Sequence, residues 1–180
     1  MITEGMATGD SASMNVDAAL LHWFPDHAAR STSGWLRTPY FSSRLEGRGG
    51  PVIHVLMIED DGSIAEMYRL QLEHDGYKVT VATTGELGFS TLSGSAPDIV
   101  LLDLLLPDQS GFEVLASLNE RFPNHPPVVI LSNYGEPSMI DKGRELGAVE
   151  YLVKSRVTPG DISGQIPNWV ERGRRGPQES

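Results

Sequence analysis

Five short apolar runs, separated by segments with helical character, constrain the fold of this chain more than any other feature. The runs are rich in β-branched residues or leucine and occupy residues 52–58, 77–82, 99–102, 128–131 and 149–153. Strands that are apolar almost throughout are buried on both faces, as in a parallel sheet covered by helices. The alternation therefore predicts an α/β fold with a doubly wound, five-stranded parallel sheet made of five βα units.

Helix signals lie between the apolar runs. Three pairs have the Ser/Thr-x-x-Glu spacing of a capping box, namely Ser63 with Glu66, Thr83 with Glu86, and Ser110 with Glu113. Gly76 and Gly147 are placed to end helices. In the last segment Thr158 and Pro159 make a good helix start, but Pro167 predicts a short or broken helix because an interior proline costs about 3 kcal/mol.

Composition and hydrophobic pattern divide the chain into three parts. Residues 1–50 form an extension rich in Ser, Gly, Ala and Arg, which we expect to be disordered or to contain one short amphipathic helix. That helix would carry its apolar side chains on one face: Val16, Ala19, Leu20, Trp23 and Phe24. Residues 51–172 form the folded domain, and residues 173–180 are expected to be a disordered polar tail.

Charge and composition exclude several classes of function. Residues 51–170 contain seven Lys and Arg against 17 Asp and Glu, so they carry all of the chain's net charge of −10. Binding to a nucleic-acid backbone needs the opposite sign, which predicts no direct nucleic-acid partner. The chain has no cysteine and no apolar run near the roughly 18–20 residues that span a bilayer. We therefore expect a cytoplasmic protein without a membrane partner.

Polar residues stand where four of the apolar runs end. Glu59 and Asp60 follow the first run, Asp103 the third, Ser132 the fourth, and Lys154 the fifth. The carboxyl ends of parallel strands lie on one edge of a sheet, where ligands of such folds bind. Crowded carboxylates without His or Cys suit a hard cation such as Mg²⁺. A carboxylate nucleophile beside this cation, a hydroxyl and an ammonium group are complementary parts for phosphoryl transfer.

With these strand ends in view, the chain resembles the response-regulator receiver family over about residues 52–170. The resemblance rests on residues 55–61, 97–107, 110–113, 129–132 and 147–154. It implies a flavodoxin-like (βα)5 receiver fold with strand order 2-1-3-4-5. It also implies partners: a sensor histidine kinase or histidine phosphotransfer protein upstream, and an unidentified protein target downstream.

The resemblance also implies a role for each polar strand end. Asp103 would be the phosphorylated aspartate, with Ser132 and Lys154 binding the phosphoryl group. Four ligands would hold Mg²⁺: Glu59 mainly through water, Asp60, Asp103, and the backbone carbonyl of Leu105. Tyr151 matches the aromatic switch that moves together with Ser132. Asp61, by contrast, is expected only to cap a helix.

The chain departs from the family pattern after Lys154 and after Ser132. Ser155 stands where a proline with a preceding cis bond is common, and a cis bond before serine would cost roughly 3–4 kcal/mol. Asn133 replaces a small apolar residue and is expected to alter access to the phosphoryl group. No output domain follows residue 172 in this sequence, which predicts a stand-alone receiver.

Three functions compete at this point. The first is a phosphoacceptor that catalyses only its own phosphorylation and dephosphorylation, so that it is not an enzyme acting on other substrates. The second is a non-phosphorylated pseudo-receiver that works as a protein-interaction module. The third is a phosphatase or mutase with an aspartyl-phosphate, but such enzymes generally need a second acid two residues after the nucleophile, and that position is Leu105.

Overall fold

The computed structural model describes residues 52–175, which alternate strictly between strands and helices. The elements are β1 (His54–Ile58), α1 (Gly62–His74), β2 (Lys78–Ala82), α2 (Gly85–Gly94), β3 (Ile99–Asp103), α3 (Gly111–Arg121), β4 (Val128–Ser132), α4 (Pro137–Glu145), β5 (Glu150–Val153) and α5 (Pro159–Arg175). A 3-10 turn, Lys154–Arg156, joins β5 to α5. All five predicted strands are confirmed, while the predictions for residues 1–50 lie outside the described residues.

The five strands form one parallel sheet in the order β2-β1-β3-β4-β5, as predicted. The chain winds outward from β1 in one direction and from β3 in the other, so the strand order reverses between these two strands. The register aligns the strand ends: Asp103 pairs with Leu131, and Ser132 pairs with Val153. The polar residues at the ends of β1, β3, β4 and β5 are consequently brought to one edge of the sheet.

Alternate residues of each central strand enter two different apolar cores. Leu56 and Ile58 of β1 pack in the core that is covered by α2, α3 and α4. Val55 and Met57 pack in the core that is covered by α1 and α5, which includes the fully buried Tyr68. Every residue of β1, β3 and β4 is buried, which is why these strands are apolar almost throughout their length.

The helix caps correct two of the three predicted capping boxes. Asp61 caps α1 by accepting hydrogen bonds from the backbone of Ser63 and Ile64, so Ser63 and Glu66 do not form a box. Thr84 rather than Thr83 caps α2. Ser110 and Glu113 form the predicted box at the start of α3. The predicted stops are confirmed, since Gly76 and Gly147 have φ angles of 91° and 88°, which favour glycine.

Helix α5 contradicts the prediction of a short or broken last helix. It runs for 17 residues, with Pro167 in its interior, and ends at Arg175 rather than at the predicted boundary of residue 172. Pro167 has no N–H to donate to the carbonyl of Ser163, one turn earlier. The hydroxyl of Tyr77 donates to that carbonyl instead, at 2.8 Å. No helix within residues 52–175 is both long and apolar enough to cross a membrane.

Candidate functional site

The ends of β1, β3 and β5 place three charged side chains in contact. Lys154 Nζ donates a hydrogen bond to Glu59 Oε2 at 2.6 Å and lies 3.0 Å from Asp103 Oδ2. All three residues are buried, with relative exposures of 1% for Glu59, 6% for Asp103 and 7% for Lys154. One ammonium group therefore faces two buried carboxyl groups, and the buried part of the site has an excess of negative charge when both are ionised.

A third carboxylate completes a set that could hold a cation. Glu59, Asp60 and Asp103 each offer an oxygen atom, and these atoms lie within 4.8 Å of one another. The other oxygen of Glu59, Oε1, is buried without a hydrogen-bond partner, an arrangement that is costly unless a further ligand joins it. The set contains only oxygen donors, which suits Mg²⁺. The residues present therefore fit the predicted metal.

The environment of Glu59 favours its protonated form when no cation is bound. Burial raises the pKa of Glu59 to about 7, and the negative charges of Asp103 and Asp60 act in the same direction. The hydrogen bond from Lys154 opposes this rise but does not cancel it. A divalent cation would reverse the balance by favouring the carboxylate.

Asp103 is held at both of its carboxylate oxygens. Oδ2 faces Lys154, and Oδ1 accepts a hydrogen bond from the backbone N–H of Leu104 at 2.7 Å. Leu105 follows in the β3–α3 loop with a side chain that is 54% exposed, and it forms a β-bridge with Ser110. The role of the Leu105 carbonyl as a metal ligand stays a prediction.

The two predicted switch residues, in β4 and β5, both form a hydrogen bond with the β4–α4 loop. Ser132 is fully buried, and its Oγ accepts a hydrogen bond from the backbone N–H of Tyr134 at 3.1 Å. Tyr151 points into the core with 8% exposure, and its hydroxyl donates to the carbonyl of Tyr134 at 2.9 Å. Both side chains are thus tied to one residue, although their role as a switch stays a prediction.

The two departures from the family pattern have different consequences. Residues 52–175 contain no cis peptide bond, so the bond between Lys154 and Ser155 is trans. Lys154 nevertheless reaches both carboxylates. Asn133 is exposed beside Ser132, and its effect on access to the site stays a prediction.

Sequence reasoning missed two contributors to this edge of the sheet. The backbone of Tyr134 bonds both Ser132 and Tyr151, but main-chain groups leave no trace in a residue pattern. Asp108 accepts hydrogen bonds from the backbone of Gly85 and Glu86, more than twenty residues earlier in the chain. In the sequence, the position of Asp108 after Pro107 indicates only a loop. The helix that Asp108 caps is α2, which comes earlier in the chain, so no local pattern reveals the cap.

Comparison with known families agrees with this geometry. The model of the response regulator receiver domain matches residues 55–163. The chain belongs to this family. Receiver membership accounts for the fold, for the strand order and for the position of the acidic cluster at the sheet edge.

Curated relatives are named as transcriptional regulatory or sensory transduction proteins and are longer than this receiver. The chain is 33% identical over 121 residues to the transcriptional regulatory protein AfsQ1 of Streptomyces coelicolor, covering 67% of this chain and 52% of the relative. It is 38% identical over 102 residues to the sensory transduction protein RegX3 of Mycobacterium tuberculosis, covering 56% and 43%. The chain thus spans about half the length of the curated relatives that it matches.

Solved structures share the receiver fold. A putative response regulator from Chloroflexus aurantiacus is 28% identical, with a TM-score of 0.62, covering 67% of this chain and 99% of that one. The BeF3-activated DrrB receiver domain is 27% identical, with a TM-score of 0.59 and the same coverage. A CheY-like receiver from Methanospirillum hungatei, at 24% identity and a TM-score of 0.63, covers 70% of this chain and 99% of its own and supports the fold alone.

Proposed function

We propose that this receiver is a phosphoacceptor of a two-component phosphorelay and that Asp103 is the residue phosphorylated. The phosphoryl donor would be a phosphohistidine on a sensor histidine kinase or on a histidine phosphotransfer protein. The observation that carries the proposal is the buried contact of Lys154 with both Glu59 and Asp103, beside the unpartnered Oε1 of Glu59. The proposal is supported by the negative charge that this arrangement leaves for a cation and by the ammonium group 3.0 Å from the carboxylate of Asp103.

The proposed step uses the groups at the sheet edge, a bound Mg²⁺ and the phosphohistidine of the donor. A carboxylate oxygen of Asp103 attacks phosphorus, the new O–P bond forms as the N–P bond breaks, and the bonding electron pair stays with the donor's imidazole, which takes up a proton. Lys154 pairs with the phosphoryl oxygens, and the hydroxyl of Ser132 donates to one of them. Glu59, Asp60, Asp103 and the carbonyl of Leu105 would hold Mg²⁺. The metal would supply charge neutralisation of the transferring group.

Phosphorylation would be read out through Tyr151. When the hydroxyl of Ser132 turns toward the phosphoryl group, its hydrogen bond with the backbone of Tyr134 is lost, and Tyr134 also holds the Tyr151 hydroxyl. The face that includes α4, β5 and α5 would then change and bind a protein target. We propose that residues 52–175 do not contact nucleic acid themselves, since their acidic residues outnumber their basic ones and binding to a nucleic-acid backbone needs the opposite charge. A cytoplasmic location also stays a prediction.

Intact mass spectrometry tests the phosphoacceptor directly. The full chain is incubated with Mg²⁺ and acetyl phosphate, with Asp103→Asn as the matched control. We expect one phosphoryl adduct that requires Mg²⁺ and is absent from the variant. A folded wild-type chain that binds Mg²⁺ but gains no adduct would contradict the proposal and would favour a pseudo-receiver that acts only through its binding surface.

A further inference from the structure

The β3–α3 loop, residues 104–110, carries one of the four proposed metal ligands on its main chain. That ligand is the carbonyl of Leu105, whose side chain is 54% exposed. Packing of the Leu105 side chain therefore does little to fix the carbonyl. Its position depends on how the rest of the loop is attached.

Close backbone contacts fix the two ends of this loop. At its start Leu104 is buried, and its carbonyl accepts a hydrogen bond from the N–H of Gly111 at 2.9 Å. A side chain at Gly111 would come within 2.2 Å of the carbonyl oxygen of Asp103. The end of the loop is therefore pressed against the nucleophile's own backbone, and only glycine fits there.

The tip of the loop is attached to a different element, helix α2. Each oxygen of the Asp108 carboxylate accepts one backbone N–H of the first turn of α2, from Gly85 and from Glu86, both at 3.1 Å. A Cβ atom at Gly85 would lie 2.4 Å from Nε2 in the side chain of Gln109. Loop tip and helix start are therefore in direct contact, with Asp108 providing the hydrogen bonds.

Helix α2 rests in turn on the strand that carries the other metal ligands. At Gly88 a Cβ atom would come within 2.5 Å of Cδ1 of Ile58, the last residue of β1. Ile58 directly precedes Glu59 and Asp60. A chain of contacts thus runs from the loop, through Asp108 and α2, to the strand end that offers two of the three clustered carboxylates.

We propose that Asp108 is a positioning residue for the metal site: it ties the loop to α2 and so fixes the Leu105 carbonyl relative to Glu59 and Asp60. The inference rests on the proposed function, because it concerns the Mg²⁺ of the same site. Asp108 itself touches neither the metal nor the phosphoryl group. Groups that orient metal ligands from behind typically change metal affinity about 10–100-fold when they are removed.

The chain offers a matched control for the cap that Asp108 provides. Thr84 caps the same helix by accepting the N–H of Leu87 at 3.1 Å. This bond is local to α2, whereas the two bonds of Asp108 join α2 to the β3–α3 loop. Asp108→Ala and Thr84→Ala each remove a side-chain cap from α2. Only Asp108→Ala also frees the loop, so the pair separates loss of helix stability from loss of loop position.

The test is calorimetric titration of the full chain with Mg²⁺, alongside urea unfolding of each variant without metal. We expect Asp108→Ala to weaken Mg²⁺ binding about tenfold or more. The Mg²⁺ affinity of Asp108→Asn should lie between those of Asp108→Ala and the wild type, because one acceptor oxygen remains. The affinity of Thr84→Ala should stay within about twofold of the wild type. Urea stability should fall in both alanine variants. Phosphorylation of Asp108→Ala by acetyl phosphate should recover at saturating Mg²⁺.

Two results would overturn the inference and are distinguishable from each other. If the wild type binds Mg²⁺ and Asp108→Ala binds it no more weakly than Thr84→Ala does, Asp108 is only a helix cap and the proposed function is untouched. If the wild-type chain binds no Mg²⁺ at all, the proposed metal site fails, and this inference fails with it.

Discussion

At the scale of single residues, Lys154 has the largest influence on the charge balance of the site. Its ammonium group contacts the buried carboxylates of Glu59 and Asp103. Such a contact offsets the cost of burying charge only while both partners are present. Since one positive charge faces two negative ones, with Asp60 nearby, the site stays short of positive charge. The cost is reduced either by a bound cation or by protonation of Glu59.

The affinity for Mg²⁺ should therefore depend on pH through Glu59. Its pKa is raised to about 7, mainly by burial, so below this value Mg²⁺ must displace a proton. The dissociation constant is expected to rise as the pH falls from about 8 to about 6, by up to about tenfold per unit below pH 7. Calorimetric titration measures this, and Glu59→Gln should bind more weakly with little dependence on pH. An equal pH dependence in wild type and variant would contradict the assignment.

Glu59 should also make the stability of the metal-free fold depend on pH, but in the opposite direction: Mg²⁺ affinity rises with pH, whereas this contribution to stability falls. Because the pKa of Glu59 is higher in the folded chain than its ordinary value of 4.5, the folded state binds more protons than the unfolded state between pH 4.5 and about 7. The contribution of Glu59 to the free energy of unfolding therefore falls as pH rises through this window. Urea unfolding without metal should show a smaller decline in Glu59→Gln than in the wild type.

At the scale of elements, α5 shows how a contact from elsewhere in the chain sustains a helix that its own sequence disfavours. Pro167 removes one intrahelical hydrogen bond, and Tyr77, at the start of the chain's second βα unit, replaces it. Ser163 is buried at the same place, and its hydroxyl donates to Asp75 at 2.5 Å. The apolar face of α5, with Ile166 and Trp169 buried, contributes the remaining stability.

A double-mutant cycle tests this replacement. Tyr77→Phe removes the hydroxyl and should lower the free energy of unfolding by about 1 kcal/mol, since it leaves the carbonyl of Ser163 without that donor. Pro167→Ala restores an N–H at the position that normally bonds this carbonyl. Tyr77→Phe should then cost measurably less in the Pro167→Ala background, as measured by urea unfolding. Equal costs in the two backgrounds would show that the hydroxyl does not substitute for the missing N–H.

At the scale of the whole molecule, local stability differs even between helices that cover the same face of the sheet, as α3 and α4 do. Helix α3 buries five of its residues and begins with a capping box. Helix α4 buries only Gly143 and has no side-chain cap. A side chain at Gly143 would lie 3.0 Å from the ring of Tyr151, so α4 lies directly over the proposed switch residue. Among the five α-helices of residues 52–175, α4 thus buries the fewest residues, and it is the helix that a movement of Tyr151 would displace.

Hydrogen exchange should show this gradient across the molecule. Amides in the middle of α4 are expected to exchange more than about tenfold faster than those in the middle of α3, because opening α4 exposes less apolar surface. Amides of β1 and β3 should be the slowest, since their strands are buried on both faces. Mass spectrometry or NMR on the unphosphorylated chain measures these rates. Equal protection of α3 and α4 would contradict the proposed difference.

The sequence by itself determined the architecture and the residues of the candidate site. Nearly continuous apolar strands can be stable only between two helical layers, and parallel strands must end on the same edge, so Glu59, Asp103 and Lys154 were predictable as neighbours. The box at Ser110 and the stops at Gly76 and Gly147 were equally local. The apolar strands, the box and the helix stops are each encoded by residues that are close together in the chain.

The tertiary structure alone decided the features that depend on contacts between distant segments. Pro167 predicts a broken helix as long as only its own segment is considered, whereas the hydroxyl that supports α5 comes from Tyr77. Asp108 caps a helix that precedes it by more than twenty residues. The burial that raises the pKa of Glu59 likewise comes from the folded surroundings. Sequence patterns record the propensities of neighbouring residues, but hydrogen bonds and desolvation between distant segments exist only once the chain has packed.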